Sequence, residues 1–79
     1  MLDAQRLSAH FIEKYGLKAG SFDRTTMLFS SNLLDSFSMV DLIMFLEKET
    51  GVRLSPADVN LDNLDSIDRI LDFLAKQAS

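Results

Sequence analysis

Residues 33–51 read LLDSFSMVDLIMFLEKETG, and this stretch decides the fold because it predicts one long, strongly apolar helix. Apolar positions recur every three or four residues from Ser36 to Thr50, and Gly51 is a good residue to end the helix. Ser36 stands at the predicted start, where a serine can cap a helix. An anionic group attached to it would meet the exposed N–H groups and the positive end of the helix dipole. The stretch therefore leaves two roles open for Ser36, a helix cap or an attachment point.

The two sides of this predicted helix differ in composition. At about 100° per residue, one side carries the residues expected to face a core, which are Met39, Leu42, Ile43, Leu46 and Thr50. The other side carries Phe37, Val40 and Met44, which we call the outer strip. Two interpretations remain open, an exposed docking surface or a helix buried on nearly every side. Docking is favoured because charged neighbours such as Asp41 and Lys48 need water.

The rest of the chain predicts further helices and a long loop. Residues 3–15 and residues 63–76 each show an apolar stripe at helical spacing, and residues 16–35 form a loop that packs on the core. Pro56 at the first position after Ser55 predicts a short helix of one or two turns. We therefore expect an all-α fold, a small four-helix bundle with three longer helices, one short helix and a long first loop.

Length and composition limit the class of protein. With 79 residues, the chain is expected to form a single domain over residues 1–79. The absence of cysteine and the single histidine argue against disulfides and an ordinary zinc site. No signal peptide begins the chain, and no segment reaches the roughly 18 apolar residues of a membrane span. We expect a cytoplasmic monomer with no membrane partner, and the initial methionine and compact ends favour a free-standing chain.

The charge is concentrated in the second half of the chain. The formal net charge is −4, with four basic and three acidic residues in positions 1–34 but four basic and nine acidic residues in positions 35–79. Such a surface repels the phosphate backbone of nucleic acids and attracts basic protein patches. We therefore expect protein partners and no nucleic-acid binding.

Chemical considerations argue against an enzyme. A serine nucleophile needs a base, and the only histidine, His10, has no partner that the sequence identifies and is expected to be a boundary residue of the first helix. If Ser36 reacts, an external enzyme must activate it, and Ser36 would then be a modification site and not the nucleophile of an active site. No residue is assigned a catalytic role. The second Asp-Ser pair ends in Ser66, which we expect to be ordinary helix surface.

One stretch resembles a metal site but departs from it. Residues 58–62 place oxygen ligands at alternate positions, as in the start of a calcium loop. Asn63 stands where that loop needs glycine, and Arg69 stands where it needs a bidentate glutamate. The sequence therefore predicts no metal site.

The chain resembles the acyl carrier protein family, which includes stand-alone acyl, aminoacyl and peptidyl carriers. The residues that carry the resemblance are 34–37 against the Asp-Ser-Leu core of the family, the apolar and acidic run 40–44, Glu47, and the short helix led by Pro56. The similarity extends over essentially the whole chain. Its most specific element is the Asp-Ser pair in the middle of the chain, at the start of an acidic and apolar second helix.

The resemblance implies that Ser36 receives 4′-phosphopantetheine from a phosphopantetheinyl transferase that uses coenzyme A. The terminal thiol of this arm would hold an acyl or aminoacyl group as a thioester, and an acyl- or aminoacyl-loading enzyme and downstream acyl-using enzymes would be partners. The resemblance also implies a partner-facing surface, to which the outer strip would contribute here. Its residues would be Asp35, Phe37, Val40, Asp41, Met44 and Glu47.

Departures from the family pattern bear on the cargo. Ser38 and Lys48 stand where fatty-acid carriers often have acids, and Thr50 replaces a frequent core aromatic. If Phe45 points inward, it fills the space that shelters long acyl chains in fatty-acid carriers. We therefore expect a small acyl or aminoacyl unit in a specialised, polyketide-like or nonribosomal-peptide-like pathway. The alternatives are a D-alanyl carrier for cell-envelope modification and an unmodified helical adaptor that binds a partner through the outer strip.

Overall fold

The computed structural model describes residues 2–78. Across these residues the chain forms helices and turns and no strand, which confirms the predicted all-α fold class. The helices are α1 (Ala4–Tyr15), α2 (Ser36–Thr50), α3 (Leu61–Leu64) and α4 (Ile67–Ala78), and a 3₁₀ turn at Pro56–Asp58 precedes α3. Three helices are long, α3 is a single turn, and residues 16–35 form the long loop between α1 and α2.

The ends of α2 follow from local chemistry. Asp35 has an extended backbone, and its carboxylate accepts the N–H of Ser38 at 2.9 Å, so Asp35 is the N-cap. Gly51 ends the helix in the left-handed conformation with φ of 73°, which glycine adopts without strain. Ser36 is therefore the first residue inside the helix and not its cap. The capping interpretation of Ser36 is wrong because the aspartate before it already occupies that position.

The core lies between α1, α2 and α4, with the long loop and α3 closing it. Leu28 and Leu34 from the loop are buried beside Leu42 and Leu46 from α2, which confirms that the loop packs on the core. α4 packs against both α1 and α3. The buried apolar side chains are Leu7, Phe11, Leu28, Leu34, Leu42, Leu46, Leu64, Ile67, Ile70, Phe73 and Leu74. The remaining residues of the predicted core face of α2, which are Met39, Ile43 and Thr50, are partly buried.

The predicted last helix over residues 63–76 is divided in the structure. α3 ends at Leu64, residues 65–66 form a bend, and α4 begins at Ile67. Ser66 is 3% exposed, and its hydroxyl accepts the N–H of Arg69 at 3.1 Å. The expectation that Ser66 is ordinary helix surface is therefore wrong, because Ser66 lies inside the protein and bonds the first turn of α4.

Candidate modification site and docking face

Ser36 occupies an open position at the start of α2. Its side chain is exposed, and within residues 2–78 no hydrogen bond engages its hydroxyl. The neighbouring Asp35 has a pKa below its usual range, chiefly because the backbone N–H of Ser38 donates to its carboxylate. An external enzyme can therefore reach a free hydroxyl that stands beside a fixed negative charge and at the positive end of a helix dipole.

The outer strip is exposed in the structure. The exposed fractions are 84% for Phe37, 59% for Val40 and 64% for Met44. Asp41 and Lys48 are exposed on the same helix. α2 is therefore not buried on every side, and it presents a row of apolar side chains to solvent next to charged ones. Such a row is typical of docking surfaces.

Asp41 is shared between this face and α1. The Tyr15 hydroxyl donates to Asp41 Oδ2 at 2.7 Å, and His10 Nε2 lies 3.0 Å from the same oxygen. The Tyr15 bond is the main reason that the pKa of Asp41 lies below its usual range, while burial is the main reason that the pKa of Tyr15 is raised. These contacts connect α1 to α2 on the exposed side of α2.

Glu47 has a partner within the chain. Its Oε2 accepts the backbone N–H of Leu54 at 2.9 Å, and the side chain is partly buried. The carboxylate therefore holds the segment that follows α2. A role of Glu47 toward partner proteins remains a prediction, and any such partner has to share this carboxylate with the Leu54 N–H.

Phe45 lies at the boundary between α1 and α2. Its ring stacks on that of His10 with centroids 3.8 Å apart, and it packs against the core from the side. An apolar cavity of about 510 Å³ lies near the far end of α2, lined in part by Leu2, Thr50 and Leu71. At about 1.5 Å per residue, the 14 steps from Ser36 to Thr50 place this end about 21 Å from Ser36. Leu42 and Leu46 fill the core nearer to Ser36.

The chain matches a known protein family over most of its length. A family model described as a phosphopantetheine attachment site matches residues 5–74, from α1 into α4. The chain belongs to the acyl carrier protein family. A search of curated proteins finds no match to this carrier.

The start of α2 suits the covalent 4′-phosphopantetheine group that this carrier domain accepts. The Ser36 hydroxyl is exposed and has no hydrogen bond to the described part of the chain, and the N–H groups in the first turn of α2 can stabilise a phosphate. Domains of this family are not themselves catalytic. Among residues 2–78, no group of three or more His, Cys, Asp or Glu side chains could hold a metal ion, and no helix has the length and apolarity to cross a membrane.

Sequence reasoning missed the burial of two polar residues between α3 and α4. Asp65 and Ser66 are both buried at the bend between α3 and α4, although an Asp-Ser pair is polar. A serine immediately before an apolar stripe is a common helix N-cap, so the sequence carried a signal for Ser66. It carried none for Asp65, because the hydrogen-bond donors of Asp65 come from residues 28–30, far away in the chain.

Proposed function

We propose that this carrier receives 4′-phosphopantetheine on Ser36 and that residues 1–79 act as one carrier domain. The observation that carries the proposal is the exposed and unbonded Ser36 hydroxyl at the start of α2, within the residues that match the family. The other Asp-Ser pair is a poor candidate. Ser66 is 3% exposed, and its oxygen already accepts the N–H of Arg69.

The residues around Ser36 have defined tasks in this proposal. The Ser36 oxygen bonds to the coenzyme A phosphorus that carries the pantetheine, and the P–O bond of the pyrophosphate breaks to release adenosine bisphosphate. The serine proton passes to a base of the transferase, because the single histidine, His10, is bonded to Asp41 and Tyr15. The first turn of α2 then stabilises the attached phosphate. When bound, the arm supplies a thiol that holds the cargo as a thioester, and tethering raises the effective concentration of that cargo.

The partners follow from the exposed face of α2. The outer strip offers an apolar contact, and the acidic second half of the chain attracts basic patches. We propose that the phosphopantetheinyl transferase, the loading enzyme and the downstream enzymes bind here as protein partners of a cytoplasmic monomer. Asp35, Asp41 and Glu47 contribute charge, although each carboxylate also accepts a hydrogen bond within the chain.

A small acyl or aminoacyl cargo in a specialised pathway is part of the proposal. The core beside α2 is filled by fully buried leucines, including Leu42 and Leu46, and Phe45 closes the boundary with α1. The apolar cavity lies by the far end of α2. Sheltering a long acyl chain in the core beside Leu42 and Leu46 would therefore require displacing packed side chains, which is unfavourable in a dense core. A D-alanyl unit falls in the same size class.

The decisive test is intact-protein mass after incubation with coenzyme A and a promiscuous phosphopantetheinyl transferase. The wild type should gain the mass of one phosphopantetheine. Ser36→Ala should gain none, whereas Ser66→Ala should behave as the wild type. A wild type that gains no mass with several transferases would refute the proposal and favour the unmodified adaptor, and a gain in Ser36→Ala would place the attachment elsewhere.

A further inference from the structure

We propose that Asp65 is a positioning residue for the modification of Ser36, because its buried carboxylate anchors the loop that leads into α2. This inference rests on the proposed function of Ser36. Asp65 lies at the bend between α3 and α4 and is 2% exposed. The partners of its side chain come from the long loop and not from α3 or α4.

The anchoring uses four hydrogen bonds to one residue. Asp65 Oδ1 accepts the N–H groups of Phe29 at 2.7 Å and Ser30 at 3.0 Å, and Oδ2 accepts the Ser30 hydroxyl at 2.5 Å. The Asp65 carbonyl oxygen accepts the N–H of Leu28 at 2.6 Å. Three consecutive loop residues are therefore fixed by a single side chain and its own backbone.

The anchor continues directly to the modification site. The Leu28 carbonyl oxygen accepts the N–H of Leu34 at 2.9 Å, and both leucine side chains are buried. Between them, Asn32 adopts the left-handed conformation with φ of 65°, and its N–H donates to the Phe29 carbonyl at 3.1 Å. Residues 28–34 thus form a closed turn. Asp35, the N-cap of α2, and Ser36 follow immediately after Leu34.

A carboxylate suits the anchor. Three donors converge on its two oxygens, and both oxygens of an ionised carboxyl group accept hydrogen bonds. Burial is the largest influence on the pKa of Asp65 and raises it, but the hydrogen bonds from Ser30 and Phe29 outweigh burial and leave the pKa below its usual range. Asp65 is therefore ionised at neutral pH. In Asp65→Asn one acceptor oxygen becomes an NH2 group, so the bond to Ser30 would survive only if the Ser30 hydroxyl turned and accepted.

The position of Ser36 matters because the transferase must align its oxygen with a phosphorus atom. A displacement of about 1 Å can cost roughly a hundredfold in rate. Asp65→Asn should loosen residues 28–34 and leave α2 in place, since α2 is also held by Leu42 and Leu46 in the core. We expect kcat of the transferase to fall about tenfold with KM for the carrier unchanged, because the outer strip is untouched.

The experiment compares wild type, Asp65→Asn and Ser66→Ala in transferase kinetics and in amide hydrogen exchange. Ser66→Ala is the matched control, because it removes the bond to the Arg69 N–H at the same buried bend and leaves all four bonds of Asp65 in place. Asp65→Asn should accelerate exchange of the Leu34 amide and lower kcat. Ser66→Ala should lower the thermal midpoint and leave both quantities as in the wild type.

Several results would overturn the positioning role. Leu34 exchange that is unchanged in Asp65→Asn would mean that Asp65 does not anchor the loop. If Asp65→Asn and Ser66→Ala lose equal amounts of kcat, the loss reflects reduced stability and not positioning. The same conclusion holds if only the apparent KM rises, because part of the protein is unfolded. Failure of the wild type to be modified at Ser36 would refute the proposed function, and accelerated Leu34 exchange would then still show the anchor. If Asp65→Asn does not fold, Ser30→Ala replaces it as the test variant, because it removes only the bond to Asp65 Oδ2. Ser30→Ala should lower kcat by less than about tenfold, and an unchanged kcat would count against the proposal.

Discussion

Replacing Tyr15 with phenylalanine should remove one hydrogen bond between α1 and α2 and leave the ring in place. The Tyr15 hydroxyl donates to Asp41 Oδ2 at 2.7 Å and also lies 3.2 Å from His10 Nε2. The ring itself stacks on Phe11 with centroids 5.6 Å apart, and phenylalanine keeps this contact. The change therefore tests the polar link between the two helices with little change in packing.

The size of the effect follows from the charge and exposure of Asp41. A hydrogen bond to a charged group contributes about 1.5–3 kcal/mol when it is protected from water. The Asp41 side chain is 53% exposed, so water replaces part of the lost bond. We expect a loss of about 1 kcal/mol in the free energy of unfolding, which lowers the thermal midpoint of a domain of this size by about 4–8 °C.

The difference in unfolding free energy between wild type and Tyr15→Phe should depend on pH. The Tyr15 bond lowers the pKa of Asp41 in the folded protein. The stabilisation is then fully present above the unfolded pKa of about 4 and is lost as the pH falls through the folded pKa. Tyr15 stays protonated throughout, because burial raises its pKa. The gap of about 1 kcal/mol near pH 7 should therefore shrink below about pH 4.

The assay is urea unfolding of wild type, Tyr15→Phe, Asp41→Asn and the double variant at neutral and acidic pH. The other aspartates with lowered pKa values, Asp23, Asp35 and Asp65, are common to all four proteins, so their contributions cancel in the cycle. We expect a coupling of about 1 kcal/mol at neutral pH. The reasoning would be refuted if the effects of the two single changes on the unfolding free energy add to within about 0.3 kcal/mol. It would also be refuted if the difference between wild type and Tyr15→Phe is as large at acidic pH as at neutral pH.

Two further predictions concern the cargo and the docking face. When the arm on Ser36 carries either an acetyl group or a long straight acyl chain, the NMR shifts of Phe45 and Leu46 should be the same, because Leu46 is fully buried in a filled core; large shifts with the long chain alone would contradict the small-cargo proposal. Met44→Gln should raise the KM of the transferase about tenfold without a loss of stability, since Met44 is 64% exposed. Ile12→Gln is the control, an exposed apolar residue of α1 outside the outer strip that should leave KM unchanged, and equal effects of the two changes would argue against docking through the strip.

Local patterns predicted the long elements well. The extent of α2 follows from residue spacing and from Gly51, because a helix and its ends depend on neighbours within one or two turns. Charged neighbours favoured an exposed outer strip, and the fold leaves it exposed. The break between α3 and α4 was missed. The apolar stripe of residues 63–76 continues through the bend, and hydrophobic periodicity does not distinguish one long helix from two shorter helices that share a face.

The sequence by itself determined the helical fold class and the family resemblance, because these depend on spacing, composition and one local motif. It also predicted Ser36 as a modification site and not as a nucleophile of an active site. Only the tertiary structure decided that Asp41 is bonded to α1 and that Asp65 anchors the long loop. The physical reason is that a polar side chain takes its hydrogen bonds from whichever groups the fold brings within reach. For Asp65 those groups lie 35 and 36 residues away in the chain.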